Sequence, residues 1–336
     1  MKVHQTDFST GNVYRNIMEV ALPMIMAQLL NLLYNVVDRM YIGRIPEVGT
    51  MALTGVGLCF PIITLINAFT LLYGNGGAPL CAMERGRGND REAGMLMGNS
   101  FVLLVGTGVV LTVAGLIGYR PILQLFGASE VTLPYAADYI RIYLMGTVFV
   151  MIAVGMNPFI NSQGFGNVGM LSVLIGAVIN MILDPILIFG FHMGVRGAAV
   201  ATVFSQGLSA VISLLLLRRA MRGFQAQEEK GKLYDPAMLK GMITVAIPSM
   251  LQQSIVSIGM LLVQSVVNGF GSSVLAGYTA GMRIESVCIV PMIAVGNAMS
   301  TFSAGLWLRM VRLVNRSALR FRFRSSSRIS SEHSRK

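Results

Sequence analysis

Charge is what this sequence has least of. Only 12% of its 336 residues are Asp, Glu, Lys or Arg, against roughly 25% in an ordinary soluble protein. Hydrophobic residues make up 54%, and the mean hydropathy is +0.66. That balance argues against a soluble α/β enzyme. Cysteine and histidine are scarce too. Cys59, Cys81 and Cys288 lie in or beside apolar stretches without C-x-x-C spacing, so neither a disulfide nor a metal site is read from them. His4, His192 and His333 are scattered. No cofactor and no enzyme activity are expected. The first sixteen residues are polar and lack the pattern of a cleavable signal.

The net charge of +11 does not mark a nucleic-acid binder. Residues 306–336 hold eight Arg, one Lys and one Glu, which leaves only +3 for the rest of the chain.

Long apolar runs are present instead. Each is about 20 residues or longer, enough to cross a bilayer. Hydropathy places spans at 15–42, 52–80, 93–118, 134–160, 168–190, 195–217, 238–267 and 275–304. The fold class is therefore all-α, a polytopic transmembrane bundle. With the N-terminus inside, cytoplasmic segments hold eleven Lys and Arg, including Arg85, Arg87, Arg91, Arg218, Arg219 and Lys240; outer connections hold only Arg44, Arg120 and Arg196. The positive-inside rule selects that orientation.

The longest polar connection before the tail, residues 218–237, separates a six-span unit (1–217) from a two-span one (238–304). The second echoes the first. Ala21-Leu-Pro23 and Gln28 return as Ala246-Ile-Pro248 and Gln253, and Gly74-Asn75 returns as Gly296-Asn297. Repeats six spans apart share one topology, and a binding site is expected between or within the halves. Beyond residue 304 the chain turns Arg/Ser-rich and carries the one Trp. Residues 305–336 read either as a basic amphipathic helix on an anionic leaflet or as the product of a shifted reading frame, which is the favoured expectation.

Polar residues inside spans draw the eye to function. In Val178–Gly190 everything is apolar except Asn180 and Asp184, which lie four apart on one helix face. Pro185 follows and strips the Met181 carbonyl of its helical partner. Ionisable groups at membrane depth are costly and usually face a bundle interior or a water-filled cavity. Asp38 near the end of span one and Thr202 in span six lie at a similar depth, roughly 6–11 Å below the outer boundary at ~1.5 Å per residue. One shared cluster follows, of two carboxylates, an amide and a hydroxyl. Oxygen donors of this kind suit a hard cation such as Na+, and two carboxylates in a low dielectric cannot both stay ionised, which suits H+. The plainer alternative pairs Asp38 with Arg39 at the interface and gives Asp184 a structural hydrogen bond. Gly164-Phe-Gly-Asn-Val-Gly169 fits G-x-G-x-x-G, but membrane helices flank it, so it reads as a tight turn. Pro23 sits inside span one and frees the Glu19 carbonyl.

Taken together, the Ala-Leu-Pro start, Val37-Asp38, the Gly86-Arg-Gly-Asn-Asp turn, Tyr139-Ile-Arg141, Asn180…Asp184-Pro185 and Ala201-Thr202 resemble the multidrug and toxic compound extrusion (MATE) transporters over residues 10–304. The resemblance implies a MATE-like six-helix N-lobe followed by the first two helices of a C-lobe. It implies a secondary antiporter of the cell membrane, monomeric, exporting amphipathic, often cationic drugs in exchange for Na+ or H+. It also places cation-linked groups at Asp38, Asn180, Asp184 and Thr202, substrate or gating groups at Tyr34, Tyr139 and Asn157, and the bending proline at Pro23. The family's twelve spans exceed the eight here, so a C-terminally truncated product is expected. The alternatives are a lipid-linked saccharide flippase of related fold, which would want a cationic cavity, and a non-transporting membrane fragment. The frame-shift expectation is checked in the nucleotide sequence: missing spans in another frame just past the Ser303 codon would support it, and stop codons there in every frame would sink it.

Overall fold

The computed structural model describes residues 13–221, 235–268 and 270, and part of 274–299. Among the described residues every regular element is helical. In order these are α1 (Val13–Gly43), α2 (Gly49–Leu58), α3 (Phe60–Arg87), α4 (Asp90–Leu125), α5 (Leu133–Met145), α6 (Thr147–Ser162), α7 (Gly166–Pro185), α8 (Val195–Met221) and α9 (Pro236–Asn268). Helical residues continue at 291–299. The tail 305–336, most of the linker and much of the eighth span lie outside the described residues.

Spans one, three, five, six and seven each fall on one of these helices. Spans two and four do not remain single rods. The second bends by 40° between α2 and α3, and the fourth by 61° between α5 and α6. Hydropathy counts apolar side chains and cannot register either break. At the first, Pro61 opens α3 next to Cys59, whose Sγ donates to the Ala136 carbonyl on α5. At the second, Gly146 lies so close to α8 that an added Cβ would stand 2.4 Å from a methyl of Val203. Sharp helix bends belong at such residues.

The outer surface is inverted relative to a soluble protein. On α4 Val109, Val110, Val113 and Ile117 are exposed, and on α8 Phe204, Val211 and Leu215. Four helices among the described residues are long and apolar enough to cross a bilayer, or six if each bent pair is one span. Without a hydrophobic force between helices in lipid, close approach by small residues does the holding. A Cβ on Gly74 would meet the Gly155 carbonyl oxygen at 2.9 Å, so α3 and α6 touch nearly backbone to backbone. One on Gly155 would meet a methyl of Leu104 at 2.6 Å, so the Leu104 side chain of α4 packs directly on the Gly155 backbone. α7 packs on α1 and on α8, and α6 fills the middle against α3, α4 and α8.

The second unit is tied to the first at the end where α1 and α9 begin. An added Cβ on Gly76 would meet Ala246 and the Met242 carbonyl, both on α9, within 2.9 Å. Val20 and Ala21 of α1 pack with Ala298. Buried Asn99 behaves like a peptide group: its Nδ2 donates to the Asp235 carbonyl (3.0 Å) and its Oδ1 accepts from the Asp235 N–H (2.8 Å). Asp235 directly precedes α9, so this side chain anchors the helix start. Asn99→Ala removes both bonds, at a cost of about 1–3 kcal/mol for stranded buried groups. Faster amide hydrogen exchange over the first turn of α9, with α6 unchanged, is the expected readout.

Candidate functional site

α1, α7 and α8 each deliver polar side chains to one buried place. Pro185 ends the regular part of α7, and the chain continues as a single π turn over Ile186–Gly190, in which Phe191 N–H reaches the Ile186 carbonyl at 2.9 Å. π turns of this kind accumulate at functional sites. Asp184, immediately before the proline, is 0% exposed, Asn180 1% and Asp38 9%. The carboxyl groups of Asp38 and Asp184 lie against each other. Asn180 Nδ2 lies 3.4 Å from Asp184 Oδ1 and 3.5 Å from Thr202 Oγ1. Tyr139 of α5 is buried beside Thr202, and its ring stacks on Tyr143 at 6.1 Å. The four residues placed together by depth along the sequence are thus neighbours in space, and Asp38 faces the cluster.

The cluster is rich in acceptors and poor in donors. Asp38 Oδ1, Asp184 Oδ2 and Asn180 Oδ1 are all buried without a hydrogen-bond partner. A buried polar oxygen left unpaired is expensive, and three in one place is an arrangement that a positive ion or a proton would satisfy. Carboxylate, amide and hydroxyl oxygens are the donors preferred by hard cations. Toward the C-terminal end of α1 the Tyr41 ring meets Phe189 of the π turn edge-on, with centroids 6.3 Å apart.

The residues expected to bind substrate or gate distribute differently. Tyr34 stands one turn from Asp38 on α1, and its hydroxyl accepts from Gln206 Nε2 of α8 at 3.5 Å. Asn157 is outside the cluster. Its Nδ2 donates to the Gly169 carbonyl (3.1 Å) and approaches Ser172 Oγ (3.5 Å), while its Oδ1 accepts from Asn161 (2.7 Å), so its amide is engaged between α6 and α7. Pro23 is buried where α1 crosses the start of α7; an added Cβ on Gly166 would stand 3.7 Å from it. It lies fifteen residues from Asp38, about 22 Å along a helix. The G-x-G-x-x-G stretch forms a turn, with Gly164 at φ +81° and α7 starting at Gly166.

Two further contacts were not read from the sequence. Gln206 is one; the signal was there, since it follows Thr202 by four and is the one amide in an apolar span. The other is the ion pair Arg196–Asp138 at 3.0 Å, which joins α8 to α5 next to Tyr139.

A bundle of membrane helices with buried carboxylates on two of them defines a polytopic membrane protein built around an intramembrane polar site. The comparisons identify which. The MatE family model matches residues 23–186 and again 248–307, and the chain belongs to that family. The two matches begin 225 residues apart, at Pro23 and Pro248, the offset of the internal repeat. The multidrug export protein MepA of Staphylococcus haemolyticus is 26% identical over 277 residues, covering 82% of this chain and 61% of its own length. An FAD transporter of Shewanella oneidensis is 25% identical, covering 86% of this chain and 64% of its own length. Among solved structures, MATE in the straight conformation superposes with a TM-score of 0.80 at 26% identity, covering 92% of this chain and 68% of that one. MATE in the bent conformation gives 0.79 at 25%, covering 89% and 66%. The chain spans 61% to 66% of the length of the curated relatives it matches.

Asn180→Leu tests how the cluster is held. It removes the donor shared by Asp184 and Thr202 and strands both, at a cost of about 1–3 kcal/mol. A lower melting temperature in detergent is expected, larger than that of Ile182→Ala on the exposed face of the same helix.

Proposed function

We propose that this protein is a MATE-type antiporter component that couples a cation, Na+ or H+, to the export of amphipathic, often cationic drugs, with the cation held at Asp38, Asn180, Asp184 and Thr202. The observation that carries the reading is the convergence of three unpartnered buried oxygens on the Asp38–Asp184 contact. Two carboxyl groups in contact inside a bilayer need a shared proton or a cation between them, because their like charges cannot coexist there. The membership of the MatE family supports a transport role, and the multidrug exporter among the relatives supports the substrate class.

Exchange follows from mutual exclusion or preference between states. A cation favours one arrangement of the two units and the drug the other, and the coupling is reciprocal in free energy. Tyr34 and Tyr139 border the cation cluster and supply aromatic and hydroxyl surface to a drug. The recorded contacts between the units gather at the ends of α1, α3 and α9 that carry Arg85, Arg87 and Lys240. With the N-terminus in the cytoplasm of a cell membrane, as the Lys/Arg distribution favours, that is the inner side, and the cation site lies toward the outer one. The flippase alternative calls for a cationic cavity, whereas the groups gathered here are carboxyls, an amide and hydroxyls.

Asp184→Asn is the test. In vesicles, efflux of a cationic dye driven by a Na+ gradient at fixed pH, and separately by a pH gradient without Na+, should fall to background in the variant. The gradient that drives the wild-type protein names the coupling ion. Efflux equal to wild type in both arms refutes the site.

A further inference from the structure

Inward of the cation cluster there is a second rung between the same helices. Tyr34 and Asp38 are four residues apart on α1, and Gln206 and Thr202 are four apart on α8, so each pair lies on one helix face. The outer rung runs from Asp38 through Asp184 and Asn180 to Thr202, by way of α7. The inner rung is direct: Gln206 Nε2 donates to the Tyr34 hydroxyl at 3.5 Å. α7 packs extensively on both α1 and α8, which touch each other little, so this bond ties α8 directly to α1. α8 is in turn fixed by its own neighbours: Ser209 Oγ bonds the Ser172 carbonyl of α7 at 2.9 Å, and Val203 is in van der Waals contact with Gly146.

We infer that Gln206 is a positioning residue of the cation site: by holding the Tyr34 hydroxyl it fixes α1 one turn inward of Asp38 and thereby sets the contact of Asp38 with Asp184. The inference rests on the cation-site reading above. An α-helix is stiff over a single turn, so a displacement of Tyr34 is transmitted to Asp38 nearly undiminished. The carboxyl contact depends on α1 being held, because Asp38 has no other recorded tie to α8. Gln206 itself does not touch the ion. Its amide is half-buried at the inner edge of the cluster, and its effect passes through Tyr34. The titratable groups facing this rung are Asp38 on the same helix, Asp184 on α7, and Tyr139 and Tyr143 on α5.

The test uses the purified full chain in detergent, with melting temperature followed as NaCl replaces choline chloride at fixed pH, and as pH is lowered in choline chloride alone. Gln206→Leu, Tyr34→Phe, the double variant and Asp184→Asn are compared with wild type. Both single variants are expected to move the midpoint of the ion response to higher concentration by about two- to tenfold, the worth of one neutral hydrogen bond, and the double variant no further. A general packing defect would lower the melting temperature while leaving the midpoint in place. Gln206→Met, unbranched and adaptable, stands in if leucine prevents folding. Unchanged midpoints in Gln206→Leu, or shifts that add in the double variant, overturn the inference while loss of the response in Asp184→Asn keeps the site. A full ion response in Asp184→Asn overturns the site reading and this inference with it.

Discussion

Asp38 and Asp184 meet where neither has bulk water with which to share its charge, and much of the molecule is arranged to make that contact possible. Taking carboxylates out of water is costly unless partners are supplied, and the partners here come from separate helices. α7 contributes Asn180 one turn away, and α8 contributes Thr202 through Asn180. The cluster is nonetheless left with three unpartnered oxygens. A cation or a shared proton, as proposed for this site, would complete it.

The rest of the bundle supplies rigidity around that soft point. Gly74, Gly155 and Gly146 let helices approach to distances that any larger residue would forbid. Such contacts are short-ranged and steep, so they define one register and hold α5, α6 and α8 as a unit. α1 is different. It carries Pro23 inside its length, leaving the Glu19 carbonyl without its helical donor, and it carries Tyr34 and Asp38 on one face. A helix with an interrupted ladder at one end and half of the proposed ion site at the other would, on that reading, report occupancy as a change of position. Val20 and Ala21 near its N-terminal end pack on Ala298 of the second unit, so that movement has a place to be felt.

The tandem repeat gives this arrangement its economy. Pro23 and Pro248 begin equivalent stretches, yet Asp38 has no counterpart among the polar residues of α9, whose mid-portion instead carries Gln252 and Gln253. Over the stretch that α1 and α9 share, equivalent scaffolds carry unequal chemistry, with a carboxylate in the first and an apolar residue at the matching place, Val263, in the second. The Asn99–Asp235 pair shows how the units are joined: a side chain that imitates a peptide group receives the start of α9 through the Asp235 backbone.

The membrane architecture, the repeat and the identities of Asp38, Asn180, Asp184 and Thr202 were legible in the chain itself. Polar residues within apolar spans are conspicuous because the bilayer penalises them, and depth along a helix is fixed by its rise per residue. Depth is a single coordinate, however. It could align four residues at one level, but not say that Asn180 points at Thr202 while Asn157 turns into a contact with Gly169 and Ser172. Azimuth, helix bends at Cys59 and Gly146, and the pairing of Gln206 with Tyr34 across 172 residues depend on which helices lie side by side. Those choices are made by close packing of small residues against particular neighbours, an interaction between distant segments that no local pattern records. The sequence by itself determined that a charged site exists in the membrane and at what depth; the tertiary structure decided which atoms share it.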